Sequence, residues 1–482
     1  MMKSYETVIG LEVHVELSTR SKIFCSCPVS YGEEPNTKCC PVCMGLPGAL
    51  PVLNREVVEY ALRTCLAVNC DINKLTRFDR KNYFYPDLPK AYQISQLYEP
   101  IGRDGWLEIQ AGDLDKRIRI HELHMEEDAG KLLHDPWDDQ TLVDYNRCGV
   151  PLLEIVSEPD LRSAEEALIY LEKLRSILQF IDVSDCRMQE GSLRADVNVS
   201  VRPIGSEEFG TRTEMKNMNS FKAIGRAIEK ESRRQIELIE EGGAIRQETR
   251  RWDENKDASF PMRSKEDAHD YRYFPDPDLT PVLISSDWIE KVREALPELP
   301  QDRRSRYILE LGLAEYEADL MVSHPDLSNL FEETVKLTDK PRETASWIMG
   351  ELLQLSKDKS CELAELEVEP KAFARIIIMT ADGTINRITA RKVLLAAIDE
   401  QVDPEEYIAK QGLAMISDTS LLEQTVAQVL ADNPASVEDY RKGKTKVTGF
   451  LVGQSMRLLG GKADPQLLNK IVLVKLDNIV QN

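Results

Sequence analysis

The sequence lacks any long apolar run. Nowhere in its 482 residues is there a stretch near the roughly 18 to 20 apolar residues of a membrane-spanning helix. The opening "MMKSYETVIG" also has no apolar segment of the kind that secretory signals carry. We therefore expect no membrane association and a cytoplasmic location, where cysteine thiols stay reduced.

Several familiar catalytic motifs are absent as well. The sequence contains neither G-x-x-x-x-G-K-[ST] nor G-x-G-x-x-G, so any nucleotide is bound without the usual glycine-rich phosphate cradles. No Ser-rich glycine segment suits a Ser-Lys amidase, and no cysteine lies in a local motif that marks a nucleophile. Covalent hydrolysis is therefore not expected on this chain.

Acidic residues outnumber basic ones except near the carboxyl terminus. Lys and Arg number 61 against 83 Asp and Glu, and a net charge of −22 argues against a polyanionic partner. Residues 407–482 nevertheless hold nine basic residues against seven acidic ones, and Arg441, Lys442, Lys444 and Lys446 fall within six positions. Any nucleic-acid contact is predicted there, although such a cluster is also typical of a solvated loop.

The first 290 residues mix strand and helix patterns. Apolar residues alternate with polar ones in "VIGLEVHVEL" (8–17) and again in "SLRADVNVSVRP" (192–203), which predicts two strands with one buried face each. Ser163 and Glu166 form a capping-box pattern at the start of a predicted helix. A second helix is predicted over about 219–241, ending at a pair of glycines.

The pattern changes after the turn-rich "FPDPDLTP", beyond which most periodic segments are helical. We predict an α+β protein of three domains. They are a mixed α/β body (1–290), an all-helical connector (291–405) and a small all-helical tail (406–482).

Acidic residues are concentrated in the predicted strands. Glu12 and His14 share the polar face of the first strand, about 6.5 to 7 Å apart. More carboxylates occupy "HELHMEEDAGK" (121–131), and Glu154 lies inside the apolar run "PLLEIV", where a lone ionised carboxylate is costly. A site built from Glu12, His14, Glu127 and Glu154 would resemble a magnesium centre open to phosphate oxygens. The alternative for the first strand is an ordinary solvated face.

Basic and aromatic residues are interleaved in "FDRKNYFYPDLPKAYQISQ" (78–96). Such a segment can bind phosphates and stack bases, or it can be a packed aromatic loop. Lys81, Arg147 and Lys216 are the candidate phosphate contacts.

Five of the ten cysteines lie between residues 25 and 43. Cys25 with Cys27 and Cys40 with Cys43 form two closely spaced pairs that can converge on one tetrahedral Zn²⁺. Four thiolates leave no open coordination position, so this zinc would be structural. Cys39 is left over, and the alternative is a set of free structural thiols.

Taken together, these motifs resemble the B-subunit family of the aspartyl/glutamyl-tRNA(Asn/Gln) amidotransferases. The resemblance rests on "IGLEVHVEL", "FDRKNYFYPDLPKAYQISQ", "HMEEDAGK", "PLLEIVSEPD", "DYRYFPDPDL" and "GFLVGQSMRLLGGKADPQLLN", and it covers essentially the whole chain. It implies a cradle-like catalytic body that uses ATP to phosphorylate the side-chain carboxylate of Glu-tRNA(Gln) or Asp-tRNA(Asn). Ammonia from a partner amidase, the A subunit, then forms the amide, and the small C subunit completes a heterotrimer.

The resemblance also assigns roles to residues. It implies Mg²⁺ ligands at Glu12, His14, Glu127 and Glu154, with Lys81 beside the phosphates. It selects Glu127 over Glu126, because the strand period breaks around His121 and cannot decide between them. Zn²⁺ at the four cysteines and a tail that grips the tRNA are implied as well.

Two alternatives remain open from the sequence. The same carboxylates could serve a magnesium-dependent phosphohydrolase or nuclease, and the chain could instead be a noncatalytic zinc-containing tRNA adaptor. The sequence does not distinguish Glu-tRNA(Gln) from Asp-tRNA(Asn) as substrate.

Overall fold

The structure is a computed structural model that describes residues 4–112, 114–134, 140–264, 271–361, 363–416 and 418–481. The chain separates into two compact units, residues 1–300 and 301–482. Strands lie in the first unit and the second is helical, so the predicted α+β class is confirmed. The finer division of the second unit at residue 405 stays a prediction.

Sixteen strands are described in the first unit: β1 (Tyr5–Glu16), β2 (Asp71–Ile72), β3 (Leu75–Thr76), β4 (Asp79–Asn82), β5 (Tyr92–Ser95), β6 (Gly102–Ala111), β7 (Leu114–Glu127), β8 (Lys131–His134), β9 (Thr141–Asp144), β10 (Pro151–Ser157), β11 (Leu193–Pro203), β12 (Thr213–Lys216), β13 (Glu248–Asp253), β14 (Ala258–Ser264), β15 (Phe274–Pro275) and β16 (Val282–Leu283). Its described helices are α1 (Arg55–Ala67), α2 (Ala164–Phe180), α3 (Phe221–Glu240) and α4 (Ser286–Ala295).

Nine strands form one large sheet in the order β14-β13-β12-β11-β1-β10-β7-β6-β2. β1 lies at its centre and pairs antiparallel with both β10 and β11. The two segments with the same alternating pattern, β1 and β11, are therefore direct neighbours. Strands β15, β4 and β5 form a separate three-stranded sheet.

One face of the large sheet is apolar. On that face of β1, Ile9, Leu11, Val13 and Val15 are at most 1% exposed and pack in one core with residues of helices α1, α2 and α3. As predicted, α2 begins after Ser163, whose hydroxyl accepts from the Glu166 amide at 3.1 Å. The helices thus cover the apolar face of the sheet, whereas the polar side chains of β1 lie on the opposite face.

The described α-helices of the second unit, the first of which begins at the boundary residue Pro300, are α5 (Pro300–Leu309), α6 (Glu315–Met321), α7 (Pro325–Thr338), α8 (Pro341–Trp347), α9 (Leu353–Lys359), α10 (Pro370–Ala381), α11 (Arg387–Asp399), α12 (Pro404–Gln411), α13 (Thr419–Asp432), α14 (Pro434–Arg441), α15 (Val447–Leu458) and α16 (Pro465–Gln481). A π-helical turn, Ile348–Leu352, joins α8 to α9, and a 3₁₀ turn spans Leu363–Glu365. Helices α13, α15 and α16 share a small core that contains Leu422, Leu451 and Leu468. Among the described residues, we find no helix with the length and apolarity needed to cross a membrane.

Candidate active site

Strand register assembles the polar face of the large sheet. Glu154 on β10 lies opposite His14 on β1 and opposite His124 on β7. On the other side of β1, Glu12 lies opposite Asp196 of β11. Directly opposed residues point to the same face, so segments far apart in sequence form one row of acids and histidines.

The first cluster contains His14, Glu126 and Glu154, with one ligand atom from each within 4.8 Å of the others. His14 Nε2 lies 3.5 Å from Glu154 Oε2 and 3.8 Å from Glu126 Oε1. His124 adjoins the cluster, with its Nε2 2.9 Å from Glu154 Oε2. These distances suit a divalent cation held by two carboxylates and an imidazole, with positions open to other oxygens.

Glu127 does not lie in this cluster, which differs from the sequence prediction. Both its carboxylate oxygens accept from Lys90 Nζ, and Oε1 also accepts from the Ile94 amide at 2.9 Å. The physical reason is strand alternation: Glu126 and Glu127 are neighbours on β7 and point to opposite faces. The register of β7 against β10 shifts near His121. This shift interrupts the alternation of the strand, so the sequence pattern alone does not distinguish Glu126 from Glu127 as the ligand.

A second acidic cluster lies beside the first and contains Glu12, Asp196 and Glu214. Asn198 Nδ2 donates to Glu12 Oε1 at 2.9 Å. Lys216 Nζ pairs with Asp196 and lies 2.9 Å from Glu214 Oε1. Glu12 is thus two residues from His14 along β1, on the same face, but belongs to a separate group of ligands. The carboxylates of that group also hold Lys216.

Lys81 lies on β4 of the separate three-stranded sheet and faces the first cluster. Its Nζ lies 5.1 Å from the centre of the Tyr271 ring, and among the described residues no carboxylate oxygen is within 4.0 Å of it. Burial lowers the pKa of Lys81, but the fields of Tyr273, Glu126 and Glu154 outweigh burial and raise it. Lys81 is therefore a charged ammonium close to the acids without a direct ion pair, which leaves room for an anion.

Arg147, the third predicted phosphate contact, lies at the far end of the polar face. Its guanidinium donates to the carbonyl oxygens of Ala129 and Gly130, both at 2.9 Å, and lies 3.4 Å from Asp128 Oδ2. Arg194 also binds Asp128, at 2.8 Å. The structure thus engages Arg147 with the protein and does not bring it to Lys81 and Glu154.

The histidines carry compensating charge in the first cluster. Burial opposes the charged form of His124, but Glu154 and Glu126 outweigh burial and raise its pKa to about 10. The pKa of His14 is raised against burial by the same two carboxylates. Burial acts to raise the pKa of Glu154, but the imidazoles of His124 and His14 have the larger combined effect. The pKa of Glu154 is therefore lowered. A divalent cation could replace these protons as the compensating charge.

The four predicted cysteines converge, because the sulfurs of Cys25, Cys27, Cys40 and Cys43 lie within 4.8 Å of one another. The Sγ atoms of Cys40 and Cys43 are 3.9 Å apart, close to the edge of about 3.8 Å for a tetrahedron with Zn–S bonds near 2.3 Å. Cys39 turns away and donates to the Asn36 carbonyl oxygen. The donor set and spacing therefore fit Zn²⁺.

The basic residues of the tail are exposed. Arg441 ends α14, Lys446 precedes α15, and Lys442 and Lys444 lie in the turn between these helices. Asp439 takes up the charge of Lys444 at 2.9 Å. Glu438 lies 3.9 Å from Arg441 and 3.7 Å from Lys442, so the four exposed cations share this segment with acidic neighbours.

Sequence reasoning missed Asp196, Glu214 and His124 as members of the site. The alternation in "SLRADVNVSVRP" did put Asp196 on a polar face, but nothing in the sequence indicates that β11 pairs with β1 in this register. Lys22, which is buried, and Lys90, which is partly buried, were missed as well, because nothing in the local pattern distinguishes them from other lysines.

Known proteins resemble the chain along almost its whole length. Residues 7–290 match the family model of the GatB/GatE catalytic domain, and residues 329–476 match that of the GatB domain. The B subunit of an aspartyl/glutamyl-tRNA(Asn/Gln) amidotransferase from Lachnoclostridium phytofermentans is 58% identical over 471 residues, 98% of each chain. The protein of the same name from Caldicellulosiruptor bescii is 54% identical over 478 residues, 98% of this chain and all of the relative. The chain belongs to the family of aspartyl/glutamyl-tRNA(Asn/Gln) amidotransferase B subunits.

Proposed function

We propose that the chain is the tRNA-amidating subunit of a glutamine-dependent amidotransferase, a ligase that forms carbon–nitrogen bonds. It converts Glu-tRNA(Gln), Asp-tRNA(Asn) or both to the amidated forms. The observation that carries this is the convergence of His14, Glu126 and Glu154 on one sheet face, with Glu12 beside them and Lys81 opposite. Family membership favours this function over the phosphohydrolase and the noncatalytic adaptor.

The chemistry takes place in two steps. The γ-phosphoryl group of ATP moves to the side-chain carboxylate of the aminoacyl group, and ADP leaves. Ammonia then attacks the acyl phosphate, the bond from carbon to the phosphate oxygen breaks, and the proton that the nitrogen loses leaves on the inorganic phosphate. Phosphoryl transfer depends mainly on positioning and neutralisation of charge, which a row of fixed acids and a nearby lysine ammonium can provide.

The residues take distinct roles in this proposal. His14, Glu126 and Glu154 hold Mg²⁺, and Glu12 with Asp196 and Glu214 forms an adjacent acidic set that can take a second cation. When bound, Mg²⁺ shields the phosphate charge. Lys81 contacts the transferred phosphoryl group. Lys216 and Arg147, both held by neighbouring protein groups, orient the acids at either end of the face rather than binding ATP.

Zinc, partners and location complete the proposal. Zn²⁺ at the four cysteines holds residues 25–43 on the catalytic body, in a cytoplasm that keeps thiols reduced. The sequence carries no nucleophile motif for glutamine hydrolysis, so the amidase of the complex, its A subunit, supplies the ammonia, and the small C subunit joins the pair. The exposed basic loop 441–446 binds the phosphates of the tRNA.

An amidation assay tests the proposed reaction. Purified chain with the A and C subunits, glutamine, Mg·ATP and misacylated tRNA is expected to release one ADP for each amidated aminoacyl group. Running Glu-tRNA(Gln) and Asp-tRNA(Asn) separately assigns the substrate. Hydrolysis of free phosphoesters by the isolated chain, without amidation in the complex, would favour the phosphohydrolase instead.

Charge removal in the tail should weaken tRNA binding. A variant in which Arg441, Lys442, Lys444 and Lys446 are all replaced by Ser should bind tRNA less tightly. The slope of log binding constant against log salt concentration should become less steep by about 0.7 to 0.9 for each phosphate that is no longer bound. Filter binding across salt concentrations measures this. A control variant removes four exposed cations of α10 and α11, namely Lys371, Arg375, Arg391 and Lys392. Equal weakening in both variants would contradict a specific tail contact.

A further inference from the structure

Lys22 is a fully buried lysine next to the cysteine cluster. Its residue exposure is 0%, and its Nζ donates to the Lys38 carbonyl oxygen at 2.8 Å and lies 3.8 Å from Cys43 Sγ. Among the residues that the structure describes, no carboxylate oxygen lies within ion-pair distance of this ammonium. Glu127, which lines the same small cavity as Cys43, is already paired with Lys90.

The single carbonyl contact is insufficient to explain a charged group at this position. Removing an ammonium from water costs more free energy than one hydrogen bond from that charged group returns. A neutral donor would serve the Lys38 carbonyl equally well. The ammonium also reaches the Cys43 sulfur, which carries negative charge when it binds a cation as a thiolate.

Four thiolates around one Zn²⁺ carry two uncompensated negative charges. Lys22 lies where it can compensate one of them. Its backbone amide also donates to the Cys27 carbonyl oxygen at 3.0 Å, which ties the lysine to the first cysteine pair.

We propose that Lys22 is a charge-compensating positioning residue of the cysteine site, which stabilises the metal-bound tetrathiolate. The inference rests on the proposed zinc site and goes beyond it, because it assigns the control of metal affinity to a residue that is not a ligand. Outer partners of metal ligands commonly contribute 10- to 100-fold to metal affinity.

The test uses the full chain and two variants of Lys22. Lys22→Met removes the charge, and Lys22→Gln removes the charge but keeps an N–H donor for the Lys38 carbonyl. The matched control is Lys38→Met, whose side chain points to Glu33 at 3.7 Å rather than to a thiol. Zinc content is measured by metal analysis, and affinity by competition with a chromogenic chelator and by cobalt charge-transfer absorption.

We expect about one zinc per wild-type chain, and about 10- to 100-fold weaker binding in both Lys22 variants. Lys38→Met should bind as the wild type does. Lys22→Met should destabilise the zinc-bound chain more than the metal-free chain, because the charge that Lys22 balances is largest with four thiolates in place. A residue with a merely structural role would lower the stability of both forms equally.

The outcomes separate the two proposals. A wild-type chain that takes up neither zinc nor cobalt rules out the zinc site itself. A wild type with one tightly held metal, together with unchanged affinity in Lys22→Gln, overturns the role of Lys22 alone. If Lys22→Met does not fold, Lys22→Gln decides the question.

Discussion

Glu126→Gln and Glu154→Gln should each reduce the rate of tRNA amidation by about 100- to 1,000-fold, the usual effect of removing one group that stabilises developing charge. Both substitutions keep the shape of the side chain but remove a negative charge from the cluster with His14. We also expect each variant to need more Mg²⁺ for its half-maximal rate. Amidation rates measured across Mg²⁺ concentrations, at saturating ATP and tRNA, give both quantities.

A control and a discriminating variant accompany this prediction. Glu158→Gln makes the same chemical change just beyond β10, at a carboxylate that pairs with the exposed His121, and should leave the rate unchanged. Glu127→Gln tests which of the two neighbouring glutamates binds Mg²⁺. The sequence prediction assigns Glu127 as a ligand, whereas in the structure Glu127 points to the other face. A raised Mg²⁺ requirement in Glu127→Gln, but not in Glu126→Gln, would show that the placement of these two side chains is wrong for the working enzyme.

Local patterns in the sequence predict much of the fold. The alternation of Ile9 to Leu17 identifies a central strand because one face is wholly apolar, and Ser163 marks the start of α2 because its hydroxyl satisfies a free amide. The cysteine spacing predicts convergence because few other arrangements suit four reduced thiols. These features depend on neighbours along the chain, so the sequence is sufficient to find them.

Long-range pairing accounts for what the sequence could not predict. Glu126 and Glu127 differ only in the face that they occupy, and a register shift near His121 moves the strand period by one residue. Asp196 joins Glu12 only because β11 pairs with β1, a choice that depends on the whole sheet. The position of Lys22 beside Cys43 depends on how residues 25–43 fold back on the segment before them. A single alternating pattern thus locates a site but does not assign its ligands.

The carboxylates on the two faces of β7 have different partners for their negative charge. On the polar face, Glu126 shares its surroundings with Glu154 and two imidazoles, a group that can exchange protons for a cation. On the other face, Glu127 has a fixed counter-ion in Lys90, and its acceptor capacity is used by that ammonium and a backbone amide. The first arrangement is open to a ligand, whereas the second is a closed pair.

Lys90→Met and Glu127→Gln should each lower the free energy of unfolding of the first unit by about 3 to 5 kcal/mol, because each leaves the other charge buried without a partner. The side chains of Lys90 and Glu127 are only 10% and 5% exposed. The double variant should cost less than the sum of the single variants, since it leaves no unpaired charge. Gln at position 127 still accepts from the Ile94 amide, which isolates the effect of charge.

Denaturant unfolding followed by tryptophan fluorescence measures these costs. A Trp347→Phe background removes the tryptophan of the second unit, so the remaining signal comes from tryptophans of the first. Lys116→Met is the matched control, because Lys116 pairs with Glu166 at 2.7 Å but is 30% exposed, and such pairs contribute about 1 kcal/mol or less. Costs at Lys90 and Glu127 no larger than that of the control would mean that water reaches the pair. The closed ion pair on this face of β7 would then be ruled out, and Glu127 would again be available as a ligand.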